Sequence, residues 1–145
     1  MNYELIIIGG GPAGCSAGVY AARKQLKTSL ATREVGGPSI VSEDIQNWIG
    51  TPHISGADLA KSLKAHVEAY KGSYLEIKEG VHVQAVSKKD DYFEVSLSSG
   101  ETFFSKSVLV TAGSSRRKLE AIGADRLEHK GLTYCASCDG PLFSD

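Results

Sequence analysis

The apolar positions change period several times along the chain, and each change marks an element. Tyr3–Ile8 ends in four consecutive aliphatic residues followed by three glycines. A short unbroken apolar run of this kind predicts a strand buried on both faces, as in a parallel sheet. Pro12 then opens an alanine-rich helical stretch over 12–25, in the first-turn position where proline is tolerated. A second short strand is predicted over Thr28–Thr32. Residues 33–54 hold Gly36, Gly37, Pro38, Gly50 and Pro52 without a sustained period, so they read mostly as loop, and a loop this long is usually functional. Ser55 with Asp58 forms a partial capping box. Leu59, Leu63, Val67 and Tyr70 then line one helical face up to Gly72. Beyond it the period becomes two: Val81 and Val83, then Phe93, Val95 and Leu97, then a Ser-Ser-Gly turn and residues 102–104. Three short strands in succession predict an antiparallel meander. Residues 107–111 (SVLVT) form a last apolar strand, stopped by Ala112-Gly113. The order β-α-β-loop-α-β-meander-β predicts an α/β fold of the Rossmann-like kind, with a parallel sheet in which a β-meander replaces one crossover helix. From Ser114 the pattern weakens, and a boundary is expected at 114–118. This gives one domain portion over 1–114 and a linker with the start of another over 115–145.

Composition narrows the class. A chain of 145 residues fits one domain with a real core, or one domain and part of a second. Apolar residues at 41% and charged residues at 23% are ordinary for a globular chain and too apolar for disorder. A net charge of −1 provides no field that draws the chain to nucleic acid or anionic lipid. The aliphatic run ending at Ile8 is too short to span a bilayer. Glu4 stands where a signal peptide carries basic residues. Three cysteines leave one over from any disulfide. A cytoplasmic protein is expected, with the close pair Cys135 and Cys138 in redox or metal chemistry.

Gly9, Gly11 and Gly14 form G-x-G-x-x-G between a predicted strand and a predicted helix, the context that its mechanism demands. The first glycine allows the tight turn, the second lets a pyrophosphate approach the backbone, and the third lets helix and strand pack closely. The helix N-terminus adds N–H groups and the positive end of its dipole. A bound dinucleotide is therefore expected. Its ribose partner belongs at the end of the second strand, where Thr32 and then Glu34 lie. Arg33 beside them fits either a 2′-phosphate or an ordinary surface charge. Local residues alone leave FAD and NAD(P) open.

GGGPAG (9–14), Gly36-Gly37, QNWIG (46–50), VTAGSSRRKL (110–119) and YCASCDGPLF (134–143) recur in one order, and over nearly the whole chain they resemble the first half of bacterial-type thioredoxin reductases. The flavoprotein subunit of alkyl hydroperoxide reductase is similar over the same stretch. The resemblance implies FAD at the glycine fingerprint, with the adenylate end on Gly9, Gly11, Pro12, Ala13 and Gly14. It places the adenosine ribose near Thr32 and Glu34, Gly37 and Asn47 toward the flavin, the backbone of His82 and Val83 by the adenine, and Ala112 and Gly113 by the pyrophosphate. Two motifs depart from the family pattern: Gly36-Gly37-Pro38 stands for Gly-Gly-Gln, and Thr111-Ala112-Gly113 for Ala-Thr-Gly.

The same resemblance gives the cysteines a role. Cys135 and Cys138 are spaced for a disulfide across one turn, which accepts electrons from reduced flavin and passes them to a partner disulfide. Asp139 gives or takes the accompanying proton. Zinc is the rival reading, but a structural zinc needs four ligands and no second pair exists; His129 and Asp139 do not complete a site. Cys15, one residue past the fingerprint, is expected to be a packing residue. His53, His66 and His82 have no carboxylate or cysteine pattern around them. Only one glycine fingerprint is present, so the sequence is expected to be the N-terminal half of a longer NADPH-linked reductase, homodimeric in the family, with a thioredoxin-like or peroxiredoxin-system dithiol protein as partner. The NADPH site is expected to be absent here, FAD retention to be weak, and the chain alone not to turn over. The competing expectation is a stand-alone dinucleotide-binding module or an inactive fragment.

Overall fold

The computed structural model describes residues 2–114, 117–128 and 130–134. They group into two compact units, one ending at Gly113 and one beginning at Ser114.

The first unit is a six-stranded sheet with two helices. In chain order it runs β1 (Tyr3–Ile8), α1 (Pro12–Arg23), β2 (Thr28–Thr32), a short 3-10 helix (Gly37–Val41), α2 (Gly56–Glu68), β3 (Leu75–Glu79), β4 (Val83–Lys88), β5 (Phe93–Leu97) and β6 (Thr102–Val110). The strand order is β3-β2-β1-β6-β5-β4. The neighbours from β3 to β6 are parallel, and β5 and β4 join antiparallel.

The apolar pattern explains both faces. Ile7 and Leu30 point to one face and pack with Cys15, Val19 and Ala22 of α1 and Val67 of α2. Ile6 and Ala31 point to the other, where Val95, Leu97 and Phe103 of the meander strands meet them. Both faces of β1 and β2 are covered, which is why the aliphatic run of β1 is unbroken and why every residue of β2, Thr28, Ser29 and Thr32 included, is buried. Small residues let α1 lie close: a Cβ added at Gly18 would sit 3.4 Å from Val67 Cγ2. The helix ends at Arg23 rather than at the expected Gln25, because Gln25 adopts a positive φ of 59°, the left-handed conformation that closes helices. At α2 the expected cap is present, with the Ser55 hydroxyl accepting from the Asp58 amide at 3.1 Å.

Three features refine the expectation. The expected order holds a strand between α2 and the meander without assigning residues to it, and that strand is Leu75–Glu79. Its sequence LEIKE alternates apolar and charged residues over a short span at the sheet edge, with Leu75 and Ile77 toward the helices. The stretches 102–104 and 107–111 are not two strands but lie mainly within one, β6, of nine residues. Its first half pairs with β5 and its second with β1, and the polar Ser105-Lys106-Ser107 in the middle hid the continuity. The 33–54 region is mostly loop as expected, but it contains the 3-10 helix and an isolated bridge between Ile45 and Ile54.

In the second unit a short helix, α3 (Ala124–Leu127), follows Gly123 at φ 87°. Lys118 Nζ pairs with Glu128 at 2.6 Å, and the Leu119 amide donates to the Tyr134 hydroxyl at 2.8 Å.

Candidate dinucleotide site

The chain leaves β1 toward β2 on one side and returns to β1 from the other side as β6. The carboxyl ends of β1 and β6 therefore flank a topological switch point, the place where open α/β sheets hold ligands. The glycine turn lies there, and each glycine has a separate steric reason. Gly9 has φ +109°, and a Cβ would sit 2.4 Å from the Thr111 carbonyl oxygen. At Gly14 a Cβ would lie 1.8 Å from the Gly9 carbonyl oxygen. Gly10, which the fingerprint does not require, would bring a Cβ to 2.6 Å from Thr32 Oγ1.

Gly11 is the opposite case. Among the described residues nothing lies within 4 Å of its Cβ position, so their packing does not need its lack of a side chain. It leaves an open face on the backbone at the head of α1. Gly11 is also the N-cap of that helix, which has no side-chain cap and no acidic residue in its first turn. The orphan amides and the positive dipole end at Ala13 and Gly14 are thus left without a protein anion. An open backbone face beside uncapped helix amides fits a phosphate group.

Other elements bring the remaining expected residues to this edge. The Gly36 amide donates to the Gly10 carbonyl at 2.9 Å, docking the following loop on the turn. A Cβ at Gly37 would reach 3.7 Å from the Gly11 Cα. Gly36 has φ +106°, and a Cβ there would meet the Ala60 Cβ at 2.4 Å, so only glycine lets this loop lie against α2. Thr32 ends β2, its hydroxyl donating to the Glu34 carbonyl at 2.8 Å, while Arg33 and Glu34 are exposed. The Val81 amide donates to Thr32 at 3.1 Å, which sets the segment leading into His82 and Val83 beside the end of β2. The His82 amide donates to Ser98 Oγ at 3.1 Å. On the other flank the Ala112 Cα lies 3.1 Å from a Gly9 Cβ position, and Gly113 has φ +69°.

Asn47 is not drawn in by any side-chain hydrogen bond among the described residues. It is exposed on a loop closed by the Ile45–Ile54 bridge and by Asp44, which accepts from Gln46 and pairs with His53 at 3.0 Å. Those two contacts hold the Asp44 carboxyl below its ordinary pKa. Cys15 is buried, its thiol donating to the Gly10 carbonyl at 3.3 Å; burial pushes its pKa up, so it stays a packing thiol. Cys135, Cys138 and Asp139 lie outside the described residues. No group of metal-ligating side chains forms among the described residues, and no described helix is long and apolar enough to cross a membrane. Sequence reasoning passed over Gly10, Gly36 and Thr111 as site residues. Gly10 and Gly36 were visible as partners in double glycines, and Thr111 as the residue that ends the last strand.

Comparison with known proteins gives a consistent picture. The family model described as pyridine nucleotide-disulphide oxidoreductase matches residues 3–144. The F subunit of alkyl hydroperoxide reductase from Staphylococcus aureus is 34% identical over 143 residues, which are 99% of this chain and 28% of that protein. The Escherichia coli protein of the same name is 34% identical over 141 residues, 97% of this chain and 27% of that one. Among solved structures, thioredoxin reductase from Streptococcus pyogenes superimposes with a TM-score of 0.83 at 33% identity, over 100% of this chain and 47% of that chain. Lactococcus lactis thioredoxin reductase gives 0.78 at 32%, over 99% and 46%. The chain thus spans under a third of the first group and under half of the second.

Proposed function

Since the chain belongs to the pyridine nucleotide-disulphide oxidoreductase family, we propose that it is the N-terminal, FAD-binding part of an NADPH-linked disulfide reductase. Residues 1–114 are its portion of the flavin domain, and 115–145 lead into a pyridine-nucleotide domain. The observation that carries this reading is the open Gly11 face at the switch point, with Gly37 beside it and Thr32 against the neighbouring Gly10. Gly9, Gly11, Pro12, Ala13 and Gly14 hold the pyrophosphate and adenylate end, Thr32 and Glu34 the ribose, His82 and Val83 the adenine by their backbone, and Ala112 and Gly113 the far side of the pyrophosphate. Gly37 and Asn47 face the flavin. Bound FAD supplies two-electron transfer between a nicotinamide and a disulfide.

The residues of this chain supply the thiol chemistry. The Cys135–Cys138 disulfide takes up two electrons and two protons and opens to two thiols. One thiolate attacks the partner's disulfide to form a mixed disulfide. The other cysteine displaces the partner, which leaves as a dithiol while the Cys135–Cys138 bond re-forms. Asp139 carries the proton that each thiol–thiolate interchange requires. The partner is a thioredoxin-like or peroxiredoxin-system dithiol protein, the site of action the cytoplasm, and the assembled enzyme a homodimer. The similarity to two groups of named reductases, one acting with thioredoxin and one in alkyl hydroperoxide reduction, supports this partner class.

The test joins this chain to the second half of a thioredoxin reductase and measures NADPH-dependent reduction of a protein disulfide. Turnover is expected, and Cys138→Ser is expected to stop it while flavin bleaching by NADPH persists. Turnover surviving in Cys138→Ser would remove the cysteine pair from the mechanism.

A further inference from the structure

The hydroxyl of Thr111 makes two contacts that neither the fingerprint nor the proposed cofactor contacts use. Its Oγ1 lies 2.9 Å from the Ile8 carbonyl oxygen and 3.0 Å from that of Gly9. A single O–H donor is therefore shared between two acceptors. The Ile8 carbonyl is already engaged by the Thr111 amide at 2.8 Å; the Gly9 carbonyl is where the hydroxyl adds something new. That same carbonyl oxygen lies against the Gly14 backbone, and Oγ1 itself would be 2.8 Å from a Gly14 Cβ. Thr111 thus touches the end of β1, the first peptide of the glycine turn and the first turn of α1 together.

The consequence follows from peptide planarity. The Gly9 carbonyl and the Gly10 amide belong to one rigid plane. Gly9 sits at φ +109° and the two residues after it are also glycines, so the chain here has much torsional freedom to lose. A donor fixed just past the end of β6 that holds this carbonyl removes that freedom before any ligand arrives.

We propose that Thr111 is a positioning residue for the glycine turn: its hydroxyl locks the Gly9 peptide and so pre-organises the turn and the head of α1 for the dinucleotide. This rests on the reading of the crevice as a dinucleotide site. Pre-organisation raises affinity by lowering the ordering cost at binding. It predicts a loss of affinity that returns with the hydroxyl rather than with the shape of the side chain.

The experiment compares the full 145-residue chain with Thr111→Val, which keeps the shape and removes the hydroxyl, and Thr111→Ser, which keeps it. Amide exchange of Gly9, Cys15 and Gly36, which donate to the carbonyls of Ala31, Gly11 and Gly10, is followed by NMR without ligand, together with FAD affinity and the melting temperature. A net hydrogen bond near ~1 kcal/mol corresponds to a change of about five-fold. Thr111→Val is expected to speed exchange at these three amides and to weaken FAD binding, each about five-fold, and to lower the melting temperature by no more than about 4–8 °C, with Thr111→Ser restoring all three. Unaltered exchange in Thr111→Val would overturn the proposal. So would equal losses of melting temperature in both variants, the mark of a packing role. If the unsubstituted chain shows no FAD binding, the dinucleotide reading fails instead, and the exchange rates still decide whether the hydroxyl locks the turn.

Discussion

Gly11 and Gly14 belong to one motif but answer to different forces, and alanine separates them. Gly14→Ala places a methyl 1.8 Å from the Gly9 carbonyl oxygen and 2.9 Å from its carbon. Both atoms are backbone, at the junction of β1 and α1, and cannot step aside as a side-chain end would. Overpacking costs about 1–3 kcal/mol, and the rigidity of this contact puts Gly14→Ala at the upper end, about 3 kcal/mol. For a unit of this size that lowers the melting temperature by on the order of 10 °C or more. Gly11→Ala places its methyl in open space at φ −71°. It lowers the conformational entropy of the unfolded chain, a stabilisation of about 0.4–1 kcal/mol, and loses some N-cap preference, so its stability stays within about 1 kcal/mol of the parent. On the proposed reading the same methyl stands where the pyrophosphate would approach, and FAD affinity is expected to fall about ten-fold or more, equivalent to some 1.4 kcal/mol. Circular-dichroism melts and flavin-fluorescence titrations of both variants are the assays. Gly11→Ala melting as low as Gly14→Ala, or binding FAD as well as the parent, would refute the division of labour.

Three further outcomes are expected. Glu76 accepts a short hydrogen bond from Tyr3 and pairs with Lys78 at 3.2 Å, and these hold its carboxyl below the ordinary carboxylate range, the Tyr3 bond most. Its stabilisation is present above the unfolded value near ~4.3 and is lost as pH falls through the lower folded value. Denaturation midpoints should therefore drop on acidification below about pH 4, and less so in Glu76→Gln; an unchanged acid limb in that variant would dismiss the linkage. Under mild oxidant Cys135 and Cys138 should form an intramolecular disulfide while buried Cys15 stays reduced, as counted by mass spectrometry after native alkylation; a disulfide containing Cys15, or stoichiometric zinc, would count against the redox reading. Ser55→Ala removes the cap of α2 and should cost about 1 kcal/mol by urea denaturation; a change below the error of the fit would mean that the cap is redundant with the packing of Gly56 against the Ser39 and Ile40 carbonyls.

The legible part of the fold was the part where burial on two faces writes a continuous signal. β1 carries such a run, and Ser55 announces α2. LEIKE was passed over because an edge strand with charged residues at every second position shows too few apolar residues to stand out. β6 was split because its burial changes along its length: Phe103 and Ser105 are buried, whereas Lys106 and Ser107 are exposed. A pattern read along the chain cannot show that one strand serves two neighbours. At the site, the fingerprint named Gly9, Gly11 and Gly14 but not their different tasks, since the carbonyl that excludes a side chain at Gly14 is five residues away. The Thr111 contacts join residues separated by about a hundred positions, and no local motif records them.

The central claim is that the carboxyl edge around Gly11 receives a flavin dinucleotide. It is tested most directly by titrating FAD into the isotopically labelled 145-residue chain and following backbone amide shifts, which detect binding too weak to survive desalting. Saturable shifts are expected at residues 9–14, at Thr32 and Gly37, and at Gly113, and they should vanish in Gly11→Val. Shifts centred on the opposite edge around Tyr74 and Glu76, shifts that persist in Gly11→Val, or none at saturating flavin would contradict it.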